Sequence, residues 1–252
     1  MFNKSRKVVA LGLTVTMVGA GVAVAGMTGA EINEAVVVGE VSPSKLDKKK
    51  FKPVNLFLGV ENSPESAGQQ QTNPKSELIE VSKNVKFNLS KAPTCNEPLP
   101  NGTTSEEARD ICPDGSFLGE GTATVHAADS SPACPGDEGP CVVGDQVVSV
   151  FNGPGKDDLR LHTYGTLGVA SPTVAGSIVK ADTNGYGQAL FVPNAPATGA
   201  FKITSFNATV EKSTKVATAK CKPKTIKYLR TVVYNDDSTE TASLEQKCKV
   251  KK

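Results

Sequence analysis

Histidine is the side chain whose ordinary titration falls near neutral pH, and these 252 residues contain two, His126 and His162. A Ser-His-Asp hydrolase places its histidine within hydrogen-bond reach of a nucleophile. No G-x-S-x-G elbow occurs, and nothing in the order of residues fixes a serine beside either histidine. His162 has the richer neighbourhood. In "KDDLRLHTY" a strand turns Leu159, Leu161 and Thr163 one way and Arg160, His162 and Tyr164 the other. Behind Asp157 and Asp158, that row of hydrogen-bonding side chains could hold a polar ligand, and it equally fits the wet face of an ordinary sheet. Asp157, Asp158, Arg160, His162 and Tyr164 are the candidate ligand-binding residues. No catalytic residue is assigned.

Other chemistries find less support. Carboxylates that cleave glycosides face each other across roughly 5 to 10 Å. Asp157-Asp158 and Asp236-Asp237 are instead adjacent in turn-like stretches, where Asp is favoured for backbone reasons. "DTNGYG" puts Asp182, Asn184 and Gly187 where a calcium loop begins, but Pro193 stands where its bidentate glutamate belongs, so a tight hairpin is expected. The six cysteines include no C-x2-C pair, and neither histidine stands at ligand spacing from one, so no metal or cofactor is predicted. With no Trp and four Tyr, the chain is poorly supplied with aromatic platforms for sugars.

The compartment follows from the first residues. "MFNKSRKVVALGLTVTMVGAGVAVAG" has Lys4, Arg6 and Lys7 ahead of an uncharged run, and Ala23-Val24-Ala25 offers the small-x-small site of a secretory signal over residues 1–25. No later segment reaches the roughly 18 apolar residues of a membrane span. The mature chain is therefore expected outside the cell or associated with its envelope, without a span. Losing three bases leaves 25 against 26 acids, close to neutral. That balance hides a polarity: residues 95–145 hold ten acids and one base, residues 201–252 twelve bases and five acids. The C-terminal lysines alternate with apolar residues, as on a solvated sheet face, so nucleic acid is not predicted as a partner. An even number of cysteines behind an export signal reads as three disulfides. Neighbours in sequence are favoured: Cys95–Cys112, Cys134–Cys141 and Cys221–Cys248.

These residues must be positioned by strands. Residues 26–50 read as a tether with one short strand at Val36–Val41, and the domain itself as 51–252. "PVNLFLGVE" is a strand; "NSPESAGQQQTNPKSE", residues 62–77, has no apolar periodicity and reads as a long loop. "VKFNLS" alternates, with Val85, Phe87 and Leu89 on one face. "GTATVHA", "QVVSVFN", "DLRLHTY", "TVAGSIVKA", "GQALFVP" and "FKITSFNATVE" follow, the last with a phase slip near Ser205 that predicts a β-bulge. The chain closes with a hairpin around "NDDS", pairing Tyr234 with Thr239. That register sets Cys248 opposite Thr225, so a 221–248 bridge needs a bend at Lys222-Pro223-Lys224. Between Cys95 and Cys112, "NGTTSEEARDIC" reads as a short helix with Thr103 or Thr104 capping it and Glu106 or Glu107 three residues on. So short a helix is marginal alone, and closing its loop by a disulfide contributes about 3 kcal/mol in the chain-entropy view.

About ten or eleven strands and one clipped helix, without repeats, predict an all-β chain: a single jelly-roll-like β-sandwich, with a closed barrel as the alternative. The Cys-helix-Cys clip followed by "GEGTATV", "VVSVFNG", "LRLHTYG", "NGYGQALFVPNAPATGAFKITSFNATVEK" and the final "QKCK" resembles a group of secreted all-β bacterial proteins over residues 80–250. That resemblance implies fold and compartment, and no activity. The functional expectation is a secreted, disulfide-stabilised, non-catalytic binding or structural protein of the bacterial surface or extracellular space. The alternatives are a secreted carboxylate-dependent hydrolase, in which His162 could take part, and a carrier of an apolar ligand between the sheets.

Overall fold

Alternating apolar positions carry most of the described residues into strands. A computed structural model describes residues 35–62, 74–127, 141–165, 173–193, 201–235 and 237–251, all within one unit spanning Asn33–Lys252. The predicted signal lies outside the described residues. In chain order the elements are β1 (Ala35–Ser42), β2 (Lys45–Leu46), β3 (Lys52–Pro53), β4 (Asn55–Asn62), β5 (Pro74–Ser82), β6 (Val85–Phe87), helix α1 (Ser105–Ile111), β7 (Phe117–Ala127), β8 (Cys141–Asn152), β9 (Asp158–Gly165), β10 (Thr173–Lys180), β11 (Tyr186–Pro193), β12 (Phe201–Val210), β13 (Ala217–Ala219), β14 (Thr225–Tyr234), β15 (Thr239–Lys247) and β16 (Lys249–Val250). The chain is all-β in class.

Eleven strands form one antiparallel sheet in the order β1-β4-β12-β7-β8-β9-β10-β11-β5-β14-β15. The sheet nearly closes on itself. Where its two edges meet, the Gln246 amide of β15 takes the place of a ladder rung: its Oε1 accepts from the Val41 amide at 2.8 Å and its Nε2 donates to the Val41 carbonyl at 3.1 Å. Gln188 of β11 does the same for Phe87 of β6, at 2.8 and 3.2 Å. β6 belongs to a three-stranded sheet, β3-β13-β6, while β2 and β16 form a parallel pair. Both small sheets add Val85, Phe87, Ala217, Ala219, Leu46 and Val250 to the main core. The inward residues are the ones alternation selects: Leu56 and Val60 of β4, Val148 and Val150 of β8, Leu159 and Leu161 of β9, Ile226 and Tyr228 of β14. Each large side chain so buried contributes about 1.5–3 kcal/mol.

β1 meets β14 at very close range. A Cβ on Gly39 would lie 2.6–2.7 Å from three ring carbons of Tyr228, which is fully buried and whose hydroxyl donates to Gln246 Oε1 at 3.2 Å. The ring cannot retreat without breaking that bond. We expect Gly39→Ala to lower stability by about 1–3 kcal/mol, the cost of overpacking, seen as a fall in the urea midpoint at unchanged m.

Four sequence expectations need correcting. The tether over 26–50 is, from Ala35 on, part of the fold: β1 is an edge of the main sheet with Val37 and Val41 in the core, and β2 pairs with β16. The loop over 62–77 gives way at Pro74 to β5, which lies inside the sheet between β11 and β14. "VKFNLS" is a three-residue strand followed by a 3-10 turn at Leu89–Lys91, although Val85, Phe87 and Leu89 are all buried as expected. In the final hairpin Val233, not Tyr234, faces Thr239. The turn is one residue longer than expected: the Tyr234 amide donates to Ser238 and Asp237 takes a left-handed φ of 65°.

Cys221–Cys248 forms, with the chain turning through a cis Lys222–Pro223 bond where the bend was expected. Cys95–Cys112 also forms. The Cys134–Cys141 pairing lies outside the described residues. The bulge in β12 falls between Ile203 and Ser205. "DTNGYG" is a hairpin turn between β10 and β11, with Gly185 at φ 99° and the buried Glu80 carboxylate accepting from the Thr183 amide at 3.0 Å.

Candidate functional site

β9 runs between β8 and β10, and its two faces separate as its alternation requires. Leu159, Leu161 and Thr163 turn into the core. Arg160, His162 and Tyr164 lie on the other face, opposite Phe151, Ser149 and Val147 of β8. Most of that face is not wet. The segment from Cys95 to Cys112 lies across it and forms a second small core of Cys95, Ala108, Cys112 and Phe151, against which Leu99 and Phe117 pack.

The row of candidate residues fastens this clip. The Arg160 guanidinium donates through Nη1 to the Cys95 carbonyl at 3.1 Å and to the Glu97 carbonyl. His162 is fully buried, with Nε2 2.8 Å from the Thr103 carbonyl and Nδ1 3.0 Å from Thr173 Oγ1. A carbonyl only accepts, so Nε2 carries a proton and donates it there, while Nδ1 pairs with the threonine hydroxyl. Both nitrogens of the ring are thus committed to the fold. Asp158 accepts the Gly155 amide at 3.0 Å through Oδ2, closing the turn before β9. Asp157 is exposed, and its carbonyl accepts the Ile178 amide at 2.7 Å. Tyr164 is half-buried opposite Val147, which is 42% exposed. The five residues therefore lie at one place, but Arg160 and His162 face a segment of their own chain.

Helix α1 itself is built as its sequence reads. Thr104 is the N-cap: its Oγ1 accepts from the Glu107 amide at 3.1 Å, and Glu107 Oε2 accepts the Thr104 amide at 2.8 Å, completing the capping box. The two bonds from Thr104, backbone first, hold the Glu107 carboxyl below its ordinary value. Arg109 lies 4.0 Å over the Phe117 ring and pairs with Glu120 at 2.7 Å, tying the helix to β7.

No known protein family, curated protein or solved structure matches this chain. What the site can do therefore rests on its own geometry.

The residue that organises the clip was not among the candidates. Asn152, at the end of β8 and 2% exposed, places Nδ2 3.1 Å from the Leu89 carbonyl, 2.8 Å from Ala92 and 3.1 Å from Pro93. Its backbone amide donates to Ser116 and its carbonyl accepts from Cys95, so the start of the clip and the turn that follows it both hang from one residue. An asparagine closing a strand and preceding Gly153 reads in sequence as a turn former, which hides this use. Asn84 repeats the device at the other bridge, with Nδ2 3.2 and 3.1 Å from the carbonyls of Pro223 and Thr225. The paired carboxylates at 236–237 do not form a site: Asp237 pairs with Lys75 at 2.7 Å in the open, and Asp236 lies outside the described residues, as does the side chain of His126. Among the described residues no three His, Cys, Asp or Glu side chains cluster as a metal would require.

Proposed function

We propose that this is a non-catalytic binding or structural protein of the cell surface or extracellular space, secreted and hardened by its disulfides. In this reading the nearly closed sheet is flattened into two facing layers, a jelly-roll-like sandwich, and its neighbours are the secreted all-β bacterial proteins it resembles. One observation carries the proposal: the histidine best placed for chemistry spends both ring nitrogens on the Thr103 carbonyl and the Thr173 hydroxyl. A general base needs a free lone pair within reach of a substrate proton. Two disulfides that close surface segments suit an oxidising compartment. Among the described residues no helix is long and apolar enough to cross a membrane.

Turnover decides the reading. Purified protein is expected to leave chromogenic glycoside, ester and peptide substrates unchanged. Any activity that disappears in His162→Gln, or in Asp157→Ala/Asp158→Ala with the fold intact by circular dichroism, overturns it in favour of a hydrolase.

A further inference from the structure

The lysines of this chain are not spread along a sheet face. Segments 43–54, 83–94, 211–224 and 247–251 carry sixteen lysines against two carboxylates, Asp47 and Glu211. The fold brings all four together. β3, β13 and β6 make one sheet, β2 pairs with β16, and Cys221–Cys248 joins the third segment to the fourth. Backbone bonds complete the weave: Cys221 to Asp47, Lys220 to Asn84, Lys249 to Ser44 and Cys248 to Lys224, each 2.8–3.0 Å. Fifteen of the sixteen lysines are exposed, and Lys220 is half-buried. Among the described residues none of them is paired with a carboxylate; the four ion pairs use Lys75, Arg109, Lys227 and Arg230. Asp47 spends its Oδ1 on the Lys49 and Lys50 amides, both at 2.8 Å, and so neutralises no ammonium directly.

So much like charge on one face repels itself and concentrates counter-ions around it. A polymeric anion releases many of those ions in one binding event. We infer that this lysine face binds a linear, flexible polyanion bearing closely spaced phosphate or sulfate groups, of the kind that makes up anionic polymers of cell surfaces.

The face itself separates this partner from its rivals. Its four segments contain no arginine, so it offers compact point charges rather than the planar fork that reads one phosphate or base edge in detail. It has no stacking platform for unpaired bases: the half-buried Phe51 ring lies under the ammoniums of Lys86 at 4.7 Å and Lys220 at 4.6 Å. It has no apolar anchor for a bilayer either. Among described residues the exposed large hydrophobics are Ile111 and Val147, both outside these segments. Charge density, without shape or insertion, is what the face recognises.

This inference names the partner of the binding protein proposed above and rests on that reading, but the two are tested apart, by binding here and by turnover there. Long-chain inorganic polyphosphate is titrated into the intact disulfide-bonded protein at several salt concentrations. Binding should weaken by about ten-thousandfold between roughly 50 and 200 mM salt, as about ten phosphate contacts require. In the variant Lys222→Gln/Lys224→Gln/Lys249→Gln/Lys251→Gln the slope of log affinity against log salt should fall by about three. The control Lys156→Gln/Lys180→Gln should keep the parent slope, with circular dichroism verifying both folds. No binding at the lowest salt, or an unchanged slope in the four-lysine variant, overturns the inference. Tighter binding to duplex DNA or to phosphatidylglycerol vesicles than to polyphosphate also overturns it, because the partner is then a different macromolecule.

Discussion

Asn152→Asp is expected to destabilise this protein by about 4 kcal/mol. The substitution keeps size and shape and swaps an amide donor for a carboxylate oxygen. That oxygen would then face the carbonyls of Leu89, Ala92 and Pro93 at about 3 Å, inside a site that is 2% exposed. Three acceptors that lose their donor each pay part of a desolvation penalty, and a buried unpaired charge adds more. Oδ1 of Asn152 already has no partner in the fold, so the new carboxylate finds no donor on its other side. Asn152→Ala removes the donor without adding charge and should cost about 2–3 kcal/mol. The ordering Asp worse than Ala is the diagnostic result in urea unfolding. Equal effects would mean that the loss is one of packing alone. The clip should also loosen, so that dithiothreitol reduces Cys95–Cys112 faster in Asn152→Asp than in the parent.

Arg230→Met should be nearly as damaging, at about 3–5 kcal/mol, because it strands a charge. Arg230 is fully buried on the inward face of β14. Its Nη2 meets Glu77 Oε1 of β5 at 2.8 Å, and Nη1 reaches the carbonyls of Glu61 at 3.1 Å and Val36 at 3.3 Å on β4 and β1. One side chain thus ties four strands. Removing it leaves the Glu77 carboxylate, whose side chain is only 12% exposed, without its counter-ion. Breaking one partner of a buried pair costs more than the pair itself contributes. It follows that Arg230→Met/Glu77→Leu should recover part of the loss. A double-mutant cycle is expected to give a coupling above about 1 kcal/mol. Simple additivity would show that Glu77 does not depend on Arg230.

These two residues also mark where sequence reading stops. The phase of β9 was legible because Leu159, Leu161 and Thr163 alternate with Arg160, His162 and Tyr164, and a strand has only two faces. The capping box and the cysteine pairs at 95–112 and 221–248 were legible because they are local or favoured by proximity along the chain. β5 was not legible. Its apolar positions are interrupted by Glu77 and Glu80, and those carboxylates are partnered inside the sheet by Arg230, 153 residues away, and by the Thr183 amide, 103 residues away. Alternation cannot register a charge whose partner lies elsewhere. The same holds for the row on β9: its orientation was correct, but the surface it faces is a distant part of the chain folded over it. The strand at Val36–Val41 was seen, while its place as an edge of the main sheet depends on contacts across some 200 residues, such as the one between Val41 and Gln246. The final register slipped by one because the length of a turn depends on whether a residue such as Asp237 accepts a left-handed φ, which asparagine and aspartate do at little cost.

The glutamine that bridges Val41 has a consequence for life at high concentration. An open sheet rim is a template on which a second chain can lay its own strand, and repetition of that event builds fibrils. At Val41 both main-chain groups are already taken by a side chain from the opposite rim. Self-templated growth is blocked there by a group that belongs to the molecule itself and cannot be diluted away.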